Sequence, residues 1–213
     1  MRPPQDWRRA RVTLAIAALT AVAWLLGNLF LSPADRAFAG GFIPARIGGL
    51  PDDPLPVPAW LTPLTATLVH AGLLHLGFNL LMHLFCGRTV EAILGARGLL
   101  VLYVVGAYAA AAGQYAAGPD ELVPMVGASG AVSAEIGAYA LLFGRNRSKI
   151  ADPRLAMLVH ALWLGAAWVV LQMMVGYAFN FDVPTIAWPA HIGGFLAGLM
   201  LAKPLLLLRW RGA

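Results

Sequence analysis

Apolar residues gather in this chain into six long runs: Val12–Leu31, Leu64–Gly87, Gly98–Ala117, Leu122–Gly144, Leu155–Phe181 and Val183–Ala202. A helix that crosses the hydrocarbon core of a bilayer needs about 20 mostly apolar residues, and each run is long enough. The pattern predicts an all-α, polytopic membrane protein: one domain over residues 1–213 with six transmembrane helices. Only Asp182 and Pro184 mark the boundary between the last two runs. Polar stretches are short, with one exception. Residues 32–63 are rich in proline and glycine and too long for an ordinary connector, which makes them a candidate functional loop.

Composition strengthens this picture. Of 213 residues, 60% are hydrophobic and only 12% charged, whereas a soluble domain is about a quarter charged. The sequence pI of about 9.9 would suit a nucleic-acid binder, but the placement of the charges points to topology instead. With the segment 1–11 in the cytoplasm, inside segments hold thirteen Lys and Arg residues, and outside segments hold only Arg36 and Arg46. Basic residues collect on the cytoplasmic side of membrane proteins, so both termini are expected inside, in a bacterial inner (plasma) membrane, with no nucleic-acid partner. Asp35, Asp52, Asp53, Asp120, Glu121 and Asp182 fall outside. The basic start, first apolar run and Ala37-Phe38-Ala39 also resemble a secretory signal. That run is about 20 residues, longer than the roughly 7–15 of a signal core, so an uncleaved anchor is expected. Cys86 stands alone, which excludes an intrachain disulfide. Zinc-protease and nucleotide-loop patterns are absent from the sequence, and neither metal nor cofactor is expected.

Polar groups inside the apolar runs are the candidates for chemistry, because they cost free energy in hydrocarbon. His75 and Asn79 are four apart and share a helical face, which His83 continues. Two donors on that face suit a developing oxyanion, although taken alone such a stripe more often ties helices together by hydrogen bonds. Ser129 follows Gly127-Ala128 near the outer end of the fourth run, where a serine is often only a helix cap. Gly127 and Gly130 beside it allow close approach, and Ser129, Ser133 and Gly137 form a small-residue stripe. In the sixth run His191, Gly194 and Gly198 share one face, and Gly194 and Gly198 have the spacing that lets helices meet closely. Packing the two stripes together would bring His191 towards Ser129. A serine hydroxyl needs such a base, being a poor nucleophile at its own pKa.

The chain resembles the rhomboid intramembrane serine proteases, over about residues 60–200. The matching residues are His70, His75 and Asn79, then Gly127-Ala128-Ser129-Gly130, then Ala190-His191-Ile192-Gly193-Gly194. The resemblance implies a rhomboid-like bundle and a Ser–His dyad, with Ser129 as nucleophile and His191 as base and then acid. It implies an oxyanion hole from His75, Asn79 and the Ser129 N–H, with His70, Gly127, Gly130 and Gly194 supporting the site. Glu91 matches a family acid that fixes a cytoplasmic turn. The substrates implied are single-span membrane proteins, cut within or near the outer part of their transmembrane segment. Two positions depart from the family: Trp60 is followed by Leu61 rather than arginine, and Ser133 stands where an aromatic residue is common.

Rival readings are a catalytically inactive rhomboid-like binder of membrane helices, a bis-histidine haem carrier using His75, His83, His160 or His191, and a transporter. Retention of both Ser129 and His191 argues against the binder. Glu135 is the one carboxylate within a run, six residues past Ser129. Its expected depth matches that of His83, four residues past Asn79, so a Glu135–His83 hydrogen bond is expected beneath the site, with His160 as a rival partner and a protonated Glu135 bonded to backbone as the other alternative.

Overall fold

The computed structural model describes residue 7 and residues 10–49, 55–144, 150–179 and 187–210. The long elements are all helices: α1 (Arg11–Phe30), α2 (Pro33–Gly40), the one-turn α3 (Thr62–Thr65), α4 (Leu73–Met82), α5 (Arg88–Ala117), α6 (Ser129–Phe143), α7 (Pro153–Phe179) and α8 (Trp188–Trp210). A π-helical turn, His83–Gly87, joins α4 to α5. Among the described residues, four helical stretches are long and apolar enough to cross a membrane: Arg11–Phe30, Leu73–Ala117, Pro153–Leu171 and Trp188–Trp210. The chain is therefore a multi-pass integral membrane protein.

The second of those stretches, 45 residues long, is two arms. Gly95 breaks it, with φ 78 and ψ 167, a conformation open to glycine and strained for other residues. The carbonyls freed at this break need donors, and Arg209 near the end of α8 supplies them, its Nη1 donating to Ala92 O at 2.9 Å.

Several helices begin where a polar group collects the first-turn amides. At α2, Ser32 Oγ accepts from the Asp35 N–H and Pro33 occupies the first turn. At α7, Asp152 Oδ1 accepts from the Arg154 and Leu155 N–H groups at 2.7 and 3.1 Å. For α1 the cap comes from far along the chain. Glu91 of α5 accepts from the Val12 N–H at 3.0 Å, and from the Thr13 N–H and hydroxyl at 2.8 and 2.7 Å. Glu91 thus fastens the start of α1 to α5.

Helix limits correct two of the expected spans. The run Leu64–Gly87 becomes a helix only from Leu73; before it lie α3, a 3-10 turn at Ala66–Leu68, and the extended residue Gly72. The run Leu122–Gly144 becomes a helix only at Ser129. Before it, Met125 exchanges backbone hydrogen bonds with Phe42 at 2.8 and 2.9 Å in an isolated antiparallel bridge. Pro124 and the positive φ of Gly127 (114°) keep this stretch out of the helix. The expected end at Phe181 and start at Val183 lie outside the described residues. The loop 32–63 carries α2 and 3-10 turns at Pro44–Gly48 and Ala59–Leu61.

The centre of the bundle is α5, α6 and α8, which pack closely on one another. Val90, Leu94, Leu99, Leu102, Ala134, Ala138 and Ala202 form one buried cluster among them. Helices α6 and α8 meet backbone to backbone: a side chain at Gly194 would strike Gly130 O, and one at Gly198 would strike Ala134 O. The two small-residue stripes therefore do meet.

Candidate active site

The α6–α8 contact fixes where the two candidate reacting groups fall. Ser129 is the first residue of α6, and His191 lies in the first turn of α8. With Gly194 pressed against Gly130, His191 Nε2 lies 2.8 Å from Ser129 Oγ. This is a full hydrogen bond for an oxygen and a ring nitrogen.

Both side chains line a cavity of about 480 Å³, together with His75, Phe78, Asn79, Met82, Val132, Ile136 and Trp168. That volume accommodates a few side chains of a bound chain. Asn79 Nδ2 donates to His75 O at 2.8 Å, one turn back in its own helix. A primary amide carries two N–H groups, so one remains for the cavity. The His75 ring sits against Gly127, where an added Cβ would lie 2.7 Å from its Cε1 and Nε2. Glycine is required there twice over, by this contact and by its positive φ.

His70 stands behind this wall, with 1% exposure. Its Nε2 accepts from the Ala128 N–H at 3.5 Å, next to Ser129, and its ring centre is 5.1 Å from that of His75. Burial, with the His75 ring beside it, pushes the His70 pKa down to about 4. It is therefore a neutral support at physiological pH.

His83 departs from the face it was expected to share. Its backbone N–H still bonds to Asn79 O at the end of α4, but its ring does not line the cavity and meets Glu135 instead. Its Nδ1 lies 2.9 and 3.0 Å from the two Glu135 oxygens, and its Nε2 lies 3.0 Å from Thr13 O. The expected pair is present, and His160 is not the partner. Because Thr13 O can only accept, Nε2 carries a proton, and one further proton is shared between Nδ1 and the carboxyl.

Other contributors left little trace in the sequence. Ser133 does not lie under the histidine as an aromatic residue would; its hydroxyl donates to Ser129 O at 2.7 Å. Aromatic support comes from α7: the Trp168 indole N–H donates to His191 O at 3.2 Å, and its ring stacks on Phe195 at 4.6 Å between centres. Arg46 fastens the loop 32–63 by donating to Val57 O at 2.7 Å. Nothing in a periodicity announces bonds to main-chain carbonyls of distant elements. Among the described residues, no group of three or more His, Cys, Asp or Glu is placed to hold a metal ion.

Comparison with known proteins identifies a family. The family model described as Rhomboid domain matches residues 58–208. The chain is 27% identical over 146 residues to a protein named Rhomboid protease GluP of Bacillus subtilis, covering 68% of this chain and 26% of that protein. It is 30% identical over 146 residues to human Rhomboid-related protein 3, covering 65% of this chain and 34% of the relative. Rhomboid protease GlpG of Photorhabdus laumondii is 31% identical over 193 residues, covering 90% of this chain and 60% of that protein. The chain thus spans between about a quarter and three-fifths of the length of these relatives.

Proposed function

This chain belongs to the rhomboid family, and on that premise we propose that it is an intramembrane serine endopeptidase. The observation that carries the reading is the 2.8 Å contact between His191 Nε2 and Ser129 Oγ. In the resting state the Ser129 hydroxyl donates to Nε2, which leaves the imidazole proton on Nδ1. As Oγ attacks the scissile carbonyl carbon, its proton passes to Nε2 and charge builds on the carbonyl oxygen. The Ser129 N–H at the start of α6, the free N–H of Asn79 and the His75 ring are the donors assigned to that oxygen. When the tetrahedral intermediate collapses, Nε2 returns the proton to the leaving amine, and an acyl-enzyme on Ser129 remains. Water then repeats the sequence: it gives its proton to Nε2, attacks the acyl carbon, and frees Ser129. No aspartate is assigned to His191 in this scheme.

The substrates proposed are single-span membrane proteins, cut within or near the outer part of their spanning segment. Helix α6 has 15 residues and is about 22 Å long, against a hydrocarbon core of about 30 Å. Its start is therefore sunk below the level of the longer spans, where a helical segment can be met from the side. Six spans are proposed: α1, α4 continued to Gly95, the rest of α5, α6, α7 and α8. Both termini are assigned to the cytoplasm of a bacterial inner membrane. A non-catalytic binder of membrane helices would have no use for a serine hydroxyl held on an imidazole.

The test uses purified protein in detergent with a single-span substrate and, separately, a fluorophosphonate. Wild type is expected to cut and to label on Ser129, and Ser129→Ala and His191→Ala each to abolish cutting while remaining folded. Combining them should cost no more than either alone, since the two act as a unit. Cutting by Ser129→Ala at the wild-type rate and site would end the assignment.

A further inference from the structure

A second cavity, of about 220 Å³, lies between the last turns of α1, helix α2 and the segment leading to His70. Its walls are mostly apolar, including Leu31, Val57 and Leu68. Set into them are Arg36, His70 and Trp24. Arg36 is 8% exposed and His70 1%. The Arg36 Nε, His70 Nδ1 and Trp24 Nε1 atoms are all buried without a hydrogen-bond partner. The His70 ring interacts with the Leu68 backbone, but its Nδ1 has no hydrogen-bond partner. Its Nε2 accepts from the Ala128 N–H, so Nδ1 bears the proton. The cavity therefore presents three N–H donors. Among the described residues, no carboxylate lines it.

A guanidinium buried with no acid beside it calls for a negative partner, since an unpaired buried charge is costly. The end of a helix argues against an anion, because the last carbonyls of α1 carry partial negative charge. Arg36 removes that objection. Its Nη1 donates to Leu31 O at 3.1 Å and approaches Gly27 O at 3.5 Å, covering those carbonyls. Gly27 lets it lie across α1: an added Cβ would come 2.8 Å from Arg36 Cδ. What remains uncovered is a cation and three donors in an apolar recess. A volume of about 220 Å³ is below that of a pocket for a whole drug-sized ligand and suits one small anionic group.

We propose that this cavity binds a phosphate-type anion, taken from the headgroup of an anionic phospholipid in the leaflet at the C-terminal end of α1. The apolar walls favour a headgroup with its glycerol and chain stems over a free ion. The occupant would receive the Nδ1 proton of His70, whose other nitrogen holds the Ala128 N–H next to Ser129. The cavity thus touches the active-site loop through one imidazole. The binding stands on its own whether or not Ser129 is the nucleophile.

The test measures thermal stability of the purified protein against increasing dihexanoylphosphatidylglycerol and, separately, inorganic phosphate. A ligand that binds the folded state raises the melting temperature saturably. The expected result is a saturable rise with the lipid and little with phosphate, and half-saturation shifted at least about tenfold upward in Arg36→Gln, which loses a charge-assisted contact. An equal rise with inorganic phosphate would assign the site to the free ion and overturn the headgroup. Arg36→Gln also removes a cap from α1; if it does not fold, Trp24→Phe decides. That variant keeps an aromatic side chain but loses the pyrrole half of the indole and with it one donor, and should shift half-saturation several-fold. No rise with either ligand, or half-saturation unchanged in the folded variants, overturns the proposal.

Discussion

At the scale of single residues, the groups proposed to react are readable in the sequence because each breaks a rule of its surroundings. A serine among small residues and a histidine beside two glycines stand out in runs that are otherwise apolar. Arg36, Arg46 and Trp168 were not readable in this way. Their partners are main-chain carbonyls brought near only by folding, and a carbonyl has no residue identity. Asn79 was readable as a donor, but not that it spends one N–H on His75 O. Asn79→Ala is expected to lower kcat by about 10²–10³, the usual cost of one oxyanion donor, and to leave turnover well above that of Ser129→Ala. Misfolding of Asn79→Ala would instead make the residue a tie within α4. His70 gives a prediction in pH. Its folded pKa is about 4 against an ordinary 6.5. Between those values the unfolded chain binds the proton and the folded one does not, so stability rises with pH. The contribution is whole above about 6.5 and is lost as pH falls towards about 4. Melting temperature should fall through that window, with a shallower slope in His70→Gln; identical slopes would remove His70 as the cause.

At the scale of elements, hydropathy located the apolar helices and misjudged where two of them begin. It counts apolar side chains, and the stretches Leu64–His70 and Leu122–Ala128 are apolar without being spanning helices. The conformation of the second is decided by Pro124, by Gly127 at φ 114° and by pairing with Phe42. Depth, by contrast, was readable by counting rise per residue along α4 and α6. It matched Glu135 with His83, and their atoms lie 2.9 Å apart with Glu135 fully buried. Through Thr13 O the pair reaches α1, and through Thr13 N it reaches Glu91, so one chain of polar contacts joins four helical elements beneath Ser129. Breaking a buried pair from one side typically costs about 3–5 kcal/mol, because the other partner is left unpaired. Glu135→Gln and His83→Gln should each lower thermal stability, and the double variant should lose clearly less than the sum, with coupling of about 0.5–3 kcal/mol. Strict additivity would mean that the two do not act on one another in the folded protein.

At the scale of the whole molecule, charge and packing answer different questions. Packing of α5, α6 and α8 sets the shape of the bundle and would be the same with the molecule inverted in the bilayer. Only the distribution of charge bears on its direction, and thirteen basic residues against two are the ground for the proposal that the Ser129 end faces outside. Arg36 and Arg46, the two exceptions, are both buried, one across the end of α1 and one in the loop, so neither acts as a free cytoplasmic anchor. This makes orientation testable independently of catalysis. Cys86 is buried, at 2% exposure, and is a quiet background for introduced thiols. Asp120, in the turn between α5 and α6, and Ala96, at the break in α5, are both exposed and lie at opposite ends of the same arm. On intact cells a membrane-impermeant maleimide should label Asp120→Cys readily and Ala96→Cys only after lysis. The reverse pattern would turn the molecule over, and with it the face from which water and substrate reach Ser129.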